Sequence, residues 1–454
     1  MEARRLPFPR EPLHRGAIRA AALVATIALA GCVGSPAPIK SDWPTGGPAL
    51  PSASAPLAAT EAPLPVSPTV AAIARFAAAV QADPRDERAQ VELGLALVQR
   101  VRETADPSLY APALAAFQAA LEIEPDDAQA LVGVASIQLG KHAFAAALDT
   151  ARNAIALSPR LVTARAALVD ALVELGRYDE AETAAGEMLG VAIDLTTLAR
   201  VSYVAELHGQ LPDALAAMRR AAAAPGLAPE NTAYVQALLG NLLVYDGNSE
   251  EAANAYRTAL ALVPEHAPSI AGQGRLAVGS GRLADAIALF ERAAAILPLP
   301  EYVIALGDAQ KASGDETAAA QNYEVARAEI QLFKAAGVIV DVDLALFEAD
   351  HGDPTAALGY AMAAHDAAPT IRAADAVGWA LHRLGRDTEA KAHVAEALRL
   401  GSIDPILRYH AGAIEAALGD VTAARRDLGL ALRLDPGFSA VGAAEARRLL
   451  ATLP

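Results

Sequence analysis

The sequence predicts an all-α protein, a solenoid of about ten stacked helix hairpins. Alanine supplies 114 of the 454 residues, and aromatic residues only 4% of a chain that is 54% hydrophobic. Small residues and prolines recur with a period near 34. Alanine is the best helix former and lets helices approach closely, whereas β-branched and aromatic strand signals are scarce. So apolar a chain can bury far more than one small core, which excludes full disorder.

The first element is an address. Arg4, Arg5, Arg10, Arg15 and Arg19 precede Ala20–Ala30, which carries no charge. That run is too short to span a hydrocarbon layer of ~30 Å but fits the apolar core of an export signal over residues 1–31. It ends in Leu29-Ala30-Gly31-Cys32, which resembles the lipobox of bacterial lipoproteins. The resemblance implies cleavage after Gly31 and a diacylglycerol thioether on Cys32. Val33, where an inner-membrane retention aspartate would stand, favours the outer membrane by the same resemblance. Cys32 is the single cysteine, so no disulfide forms within one chain. Residues 32–68 then carry nine prolines among Ala, Ser, Gly and Thr, which blocks helix and reads as an extended tether. At ~3.1 Å per residue it could reach on the order of 100 Å.

The body, 69–454, repeats. Ala113, Ala147, Ala181, Ala214, Ala252, Ala286, Ala319, Ala357, Ala390 and Ala424 are spaced 34, 34, 33, 38, 34, 33, 38, 33 and 34 residues apart. Seven residues after each comes a second alanine, replaced once by Met188. Six of the ten units have a proline twelve residues on, which ends the second helix because its ring cannot continue one. Four residues after the first alanine, on the same helix face, stand bulkier fillers such as Phe117, Tyr256, Phe290 and Tyr323. Glycines mark the turns, among them Gly176, Gly209, Gly281 and Gly385. Others recur inside the first helix at Gly94, Gly240, Gly274, Gly307, Gly378 and Gly412. A mid-helix glycine costs ~1 kcal/mol against alanine, so its recurrence implies close helix contact. The spacing predicts a leading helix over 69–82, ten repeats over 86–436 and a capping helix over 438–452, such as an open stack needs. Linkers are expected to lengthen before Ala113, Ala252 and Ala357, and the stopping proline is absent near 193 and 331.

The balance of 37 basic against 53 acidic residues gives a net charge of -16, which repels phosphate backbones and argues against nucleic acid. Removing residues 1–31 takes five arginines and two glutamates away and leaves the rest more acidic. No H-E-x-x-H, G-x-S-x-G or P-loop occurs. Gly279-Ser280-Gly281 falls at a repeat turn, and Gly272-Gln273-Gly274 in a helix. His351, His365, His382, His393 and His410 are spread by the register over both helices and different faces, so no common metal is expected. No cofactor is expected either. Asp341 and Asp343 read as helix-start charge. Every apolar run is broken well before 18 residues, so the membrane would be reached through the lipid anchor alone.

Leu239-Gly240, Gly247, Ala252, Tyr256, Ala259 and Pro264 together resemble the tetratricopeptide repeat, and the likeness extends over roughly 70–452. It implies a right-handed superhelix whose concave groove is lined by the first helix of each hairpin, eleven and eight residues before the alanine. Those positions hold Tyr203 and Glu206, Asn241 and Val244, Arg275, Asp308 and Lys311, and Trp379 and His382. One turn earlier stand Tyr234, Glu301, Arg372, Asp375 and Tyr409. Trp379 has two readings: packing against a neighbouring repeat, or anchoring a partner's peptide. The combined resemblances imply a non-catalytic scaffold or assembly factor of the cell envelope. Lipoproteins of this build serve pilus and secretin assembly, polysaccharide export and adaptors of peptidoglycan enzymes. A groove that contacts polysaccharide is the rival reading.

If the register is right, Ala286→Leu overpacks a helix crossing and destabilises by about 1–3 kcal/mol. An unchanged thermal midpoint would count against it.

Overall fold

The computed structural model describes residues 68–224 and 228–454. Cys32 and the expected export signal and tether, up to residue 67, lie outside them. Pro68, placed at the end of the tether by composition, is instead the first residue of helix α1 (Pro68–Ala82), where its missing N–H costs nothing. Ten helix pairs follow: α2 (Glu87–Thr104) with α3 (Tyr110–Ile123), α4 (Ala128–Gly140) with α5 (Phe144–Leu157), and α6 (Val162–Glu174) with α7 (Tyr178–Leu189). Next come α8 (Leu195–Leu207) with α9 (Leu211–Ala223), α10 (Pro229–Tyr245) with α11 (Ser249–Leu262), and α12 (Ala267–Gly279) with α13 (Leu283–Ile296). The last four are α14 (Pro300–Ser313) with α15 (Glu316–Ala335), α16 (Asp341–His351) with α17 (Pro354–Ala367), α18 (Ile371–Arg383) with α19 (Asp387–Ala397), and α20 (Pro405–Ala417) with α21 (Val421–Leu434). Helix α22 (Ala440–Thr452) closes the chain. Among the described residues there is no strand, and the all-α solenoid expected from composition is what forms.

The alanines do what their size allows. All ten that open the second helices are at most 1% exposed, so each sits at a crossing where a larger side chain would push two helices apart. Of the partners seven residues on, only Ala364 is half-buried, and Met188 fills its place with no exposure at all.

The fillers explain the glycines inside the first helices. A methyl on Gly94 would lie 2.7 Å from the Phe117 ring, and one on Gly133 only 2.2 Å from it. Methyls on Gly240 and Gly272 would each meet Tyr256 at 2.4 Å. Each ring is therefore seated between a glycine of its own hairpin and a glycine of the next. The close contact that these glycines imply is made by a ring rather than by a second backbone. Gly378 and Gly412 differ: no ring faces them, and backbone comes near instead, the Ala390 oxygen lying 3.7 Å and the Leu428 nitrogen 2.8 Å from where a methyl would stand.

Helix ends follow the local chemistry. Asp86, Asp127, Asp194, Asp315, Asp353, Thr370, Asp404, Asp420 and Ser439 each accept a hydrogen bond from a first-turn N–H. Asp341 and Asp343 lie in the first turn of α16 without acting as its cap. The extra residues expected as longer linkers mostly lengthen helices instead. With no proline near 331, α15 runs on to 20 residues, and α2 and α10 reach 18 and 17.

The stack does not stay open. Tyr178 Oη, at the start of α7, accepts a hydrogen bond of 3.0 Å from the Ile371 N–H, 193 residues away. The Ile339 N–H donates to the Lys141 carbonyl at 3.1 Å, and His142 Nδ1 lies 2.6 Å from the Ile339 carbonyl oxygen. Gly209, between α8 and α9, lies against the Gly401 carbonyl just before α20. In all three places the partner belongs to the hairpin six further on, so six hairpins complete one superhelical turn and the second turn rests on the first. Helix α22, expected as a simple end cap, packs on α14 as well as on α20 and α21. Ser439 Oγ there donates to Asp308 Oδ2 at 2.9 Å.

The seam can be separated from backbone strain. Gly209 and Gly281 share a left-handed φ, +69° and +73°, but a methyl at Gly209 meets the Gly401 oxygen at 2.4 Å while one at Gly281 meets nothing within 4 Å. Both Gly→Ala variants should lose about 1–2 kcal/mol from the backbone alone. Gly209→Ala should lose a further ~1–3 kcal/mol by overpacking. Equal losses in denaturant titrations would mean that the two turns do not touch in solution.

Candidate binding cavity

With the second turn laid against the first, the inward faces of the first helices bound a cavity of about 2810 Å³. Its wall is largely apolar, with Ala237, Leu238, Ala271, Val278 and Ile304 among the lining residues. Set into it are Tyr234 and Asn241 from α10, Arg275 from α12, Glu301, Asp308 and Lys311 from α14, and Arg372 from α18. The repeat period puts them there, because equivalent positions of successive first helices face the same way.

The polar groups support one another across hairpins. Asn241 Oδ1 accepts from Tyr256 Oη at 2.8 Å and also from the Arg275 guanidinium. The Asp308 carboxylate accepts from Tyr323 Oη and Ser439 Oγ, each at 2.9 Å. Burial pushes the Asp308 carboxyl up to about 6, against the pull of those two hydrogen bonds. His351, stacked on Tyr323 at 3.9 Å between ring centroids, is pushed down to about 4 by burial. Arg372 lies 3.5 Å from Asp343; burial works to lower its pKa, and the charges of Asp343 and Glu174 more than offset this. Burial raises Glu301 to about 7.

Residues 238–299, from the second half of α10 to just past α13, match the tetratricopeptide repeat family. That segment carries the tetratricopeptide repeat. Among solved structures the chain is similar to YrrB, described as a TPR protein with an unusual peptide-binding site. That likeness has 20% identity, covers 43% of this chain and 95% of that one, and has a TM-score of 0.26. It is also similar to the APC/C hetero-tetramer Cut9–Hcn1, at 12% identity over 84% of this chain and 93% of that one, with a TM-score of 0.31. No curated protein matches the sequence. Tetratricopeptide arrays are scaffolds for protein–protein interaction and typically carry no catalysis.

The tetratricopeptide groove positions read from the sequence divide into two groups. Tyr234, Asn241, Arg275, Lys311, Arg372 and His382 line the cavity and remain partly open to it, and Asp308 lines it while 9% exposed. Trp379 and Tyr409 also border it, but they are only 2% and 8% exposed. The Trp379 ring stacks on His410 at 3.9 Å and on His382 at 5.0 Å, and its Nε1 donates to Asp350 Oδ1 at 2.9 Å. Of its two readings the geometry favours packing. Asp375 lies outside the lining and pairs with His410 Nδ1 at 2.9 Å. That carboxylate raises the His410 pKa against the opposing effect of burial. Tyr203, on α8, lies outside the lining and packs half-buried against the core that α4–α9 share with α18–α20.

Glu174, Glu230 and Tyr302 also line the cavity. Glu230 follows the proline that opens α10, a spacing the period alone does not mark. The five late histidines are not all dispersed either: His351 stacks on Tyr323 and His382 and His410 both lie against Trp379, while His365 and His393 converge on Glu396.

At the seam, Glu206 on α8 faces Asp404 at the start of α20. Burial first, and the Asp404 charge second, raise Glu206 to about 8 from an ordinary 4.5. Between those values the unfolded chain has given up a proton that the folded chain keeps, so stability falls as pH rises through that window. Glu206→Gln should therefore melt like the parent near pH 4.5 and above it at pH 9. A difference that stays constant with pH would contradict this placement.

Proposed function

We propose that this tetratricopeptide array is a non-catalytic assembly scaffold of the bacterial cell envelope. In this reading Cys32 is the lipid anchor, the proline-rich stretch after it the spacer, and the cavity the seat of an extended segment of a partner protein. The observation that carries the binding half is the cavity wall. Tyr234, Asn241, Arg275, Lys311 and Arg372 stand in one apolar-lined space, each partly open to it. Aromatic and arginine side chains against apolar surroundings are where binding energy concentrates. A volume of about 2810 Å³ exceeds what a single small ligand fills, usually ~300–1,000 Å³, and suits several residues of polypeptide. The anchoring half rests on the order of five arginines, an uncharged run and Leu29-Ala30-Gly31-Cys32. By resemblance, Val33 directs the anchor to the outer membrane, facing the periplasm. Two acyl chains there would hold the protein lastingly, at ~0.8 kcal/mol per buried CH₂.

Both halves can be tested in cells of the native host. A photo-crosslinking residue at Tyr234 should trap peptides of an envelope protein, and the same residue at Val325, which is 48% exposed, should not. Equal trapping at both positions, or trapping of glycan alone at Tyr234, would overturn the binding reading. Cys32→Ser should abolish metabolic labelling by a palmitate analogue and release the protein from the membrane fraction. Retained labelling would remove the anchor.

A further inference from the structure

Outside the cavity lining, the second helices of two consecutive hairpins bring together two imidazoles and a carboxylate. His365 lies in the last turn of α17, and His393 and Glu396 are one helical turn apart on α19, on the same face. His365 Nε2 is 2.9 Å from Glu396 Oε1, and His393 Nδ1 is 4.0 Å from Glu396 Oε2. The imidazole rings meet edge to face, with centroids 5.7 Å apart at 89°. One donor atom from each residue falls within 4.8 Å of the others. His393 Nδ1 is shielded from water and makes no hydrogen bond among the described residues.

We propose that His365, His393 and Glu396 form a zinc site that clips α17 to α19. Two imidazole nitrogens with one carboxylate oxygen suit zinc, whereas calcium and magnesium prefer oxygen alone. Zinc holds such donors at about 2.0–2.2 Å, hence roughly 3.3 Å from one another in a tetrahedron. The present donor atoms all lie within 4.8 Å of one another, so each pair is within roughly 1.5 Å of that spacing. Three protein donors leave a fourth position for water, and the side chains retain 23%, 29% and 30% exposure, so that position is reachable. A cation stands beside the carboxylate. Arg399 Nη1 lies 3.8 Å from Glu396 Oε1 and donates to the Glu396 backbone carbonyl at 3.1 Å, while its Nη2 donates to the Pro369 carbonyl at 2.7 Å.

The test uses the full chain, stripped with chelator and titrated calorimetrically with Zn²⁺. The proposal expects one zinc per chain and a rise in melting temperature on saturation. Cobalt(II) should compete for the site and give the visible absorption of a four-coordinate ion. His365→Ala and His393→Ala should each weaken zinc binding at least tenfold while their metal-free melts stay near the parent's, since neither side chain is core. Absence of saturable binding, or the same affinity in both variants as in the parent, would overturn the proposal. A variant that melts early without metal is replaced by His→Gln, which keeps the side chain's bulk and polar end while lacking the imidazole donors.

Discussion

Contact between a large side chain and the space left by a missing one governs this molecule. Phe117 and Tyr256 each rest between two first-helix glycines, one in their own hairpin and one in the next. One ring thus determines both the gap within a hairpin and the gap between hairpins. The crossing alanines, all nearly without exposure, hold the remaining approach to a methyl group's width. The ten crossing alanines repeat that approach from unit to unit, and small rotations between units accumulate into curvature.

That curvature is tight enough for the chain to meet itself. Once the hairpin six units on lies against an earlier one, backbone groups at turns become partners, as for Tyr178 with Ile371 and Lys141 with Ile339. The inward face then borders protein on several sides. Its ionisable groups respond accordingly: Glu301 and Asp308 hold protons above their ordinary range, as Glu206 does at the seam, and His351 gives its proton up. A chain with a net charge of -16 therefore keeps part of its acidity suppressed in its interior. Binding of a partner segment in the cavity would meet a wall whose charge depends on pH.

Much of the hairpin order was legible because it is local. The period of alanines located every second helix, and prolines such as Pro125 and Pro264 marked where they stop. The groove was legible only in part. Register picked out Tyr234, Asn241, Arg275 and Lys311, which do line the cavity, but it could not tell them from Trp379 and Tyr409, which neighbouring rings cover. Burial of an equivalent position depends on which side chains the adjoining repeats supply, and no single repeat carries that information. The convergence of His365 with His393 and Glu396 was hidden for the same reason. It requires knowing how one hairpin is turned against the next.

The sequence by itself determined the helical class, the repeat length and the crossing residues, because each rests on interactions within about forty residues. Tertiary structure alone decided that the stack closes after six hairpins, which groove positions stay open to the cavity, and which carboxyls keep their protons. Those outcomes follow from small angles summed over many units and from contacts across nearly two hundred residues, where no local pattern records the result.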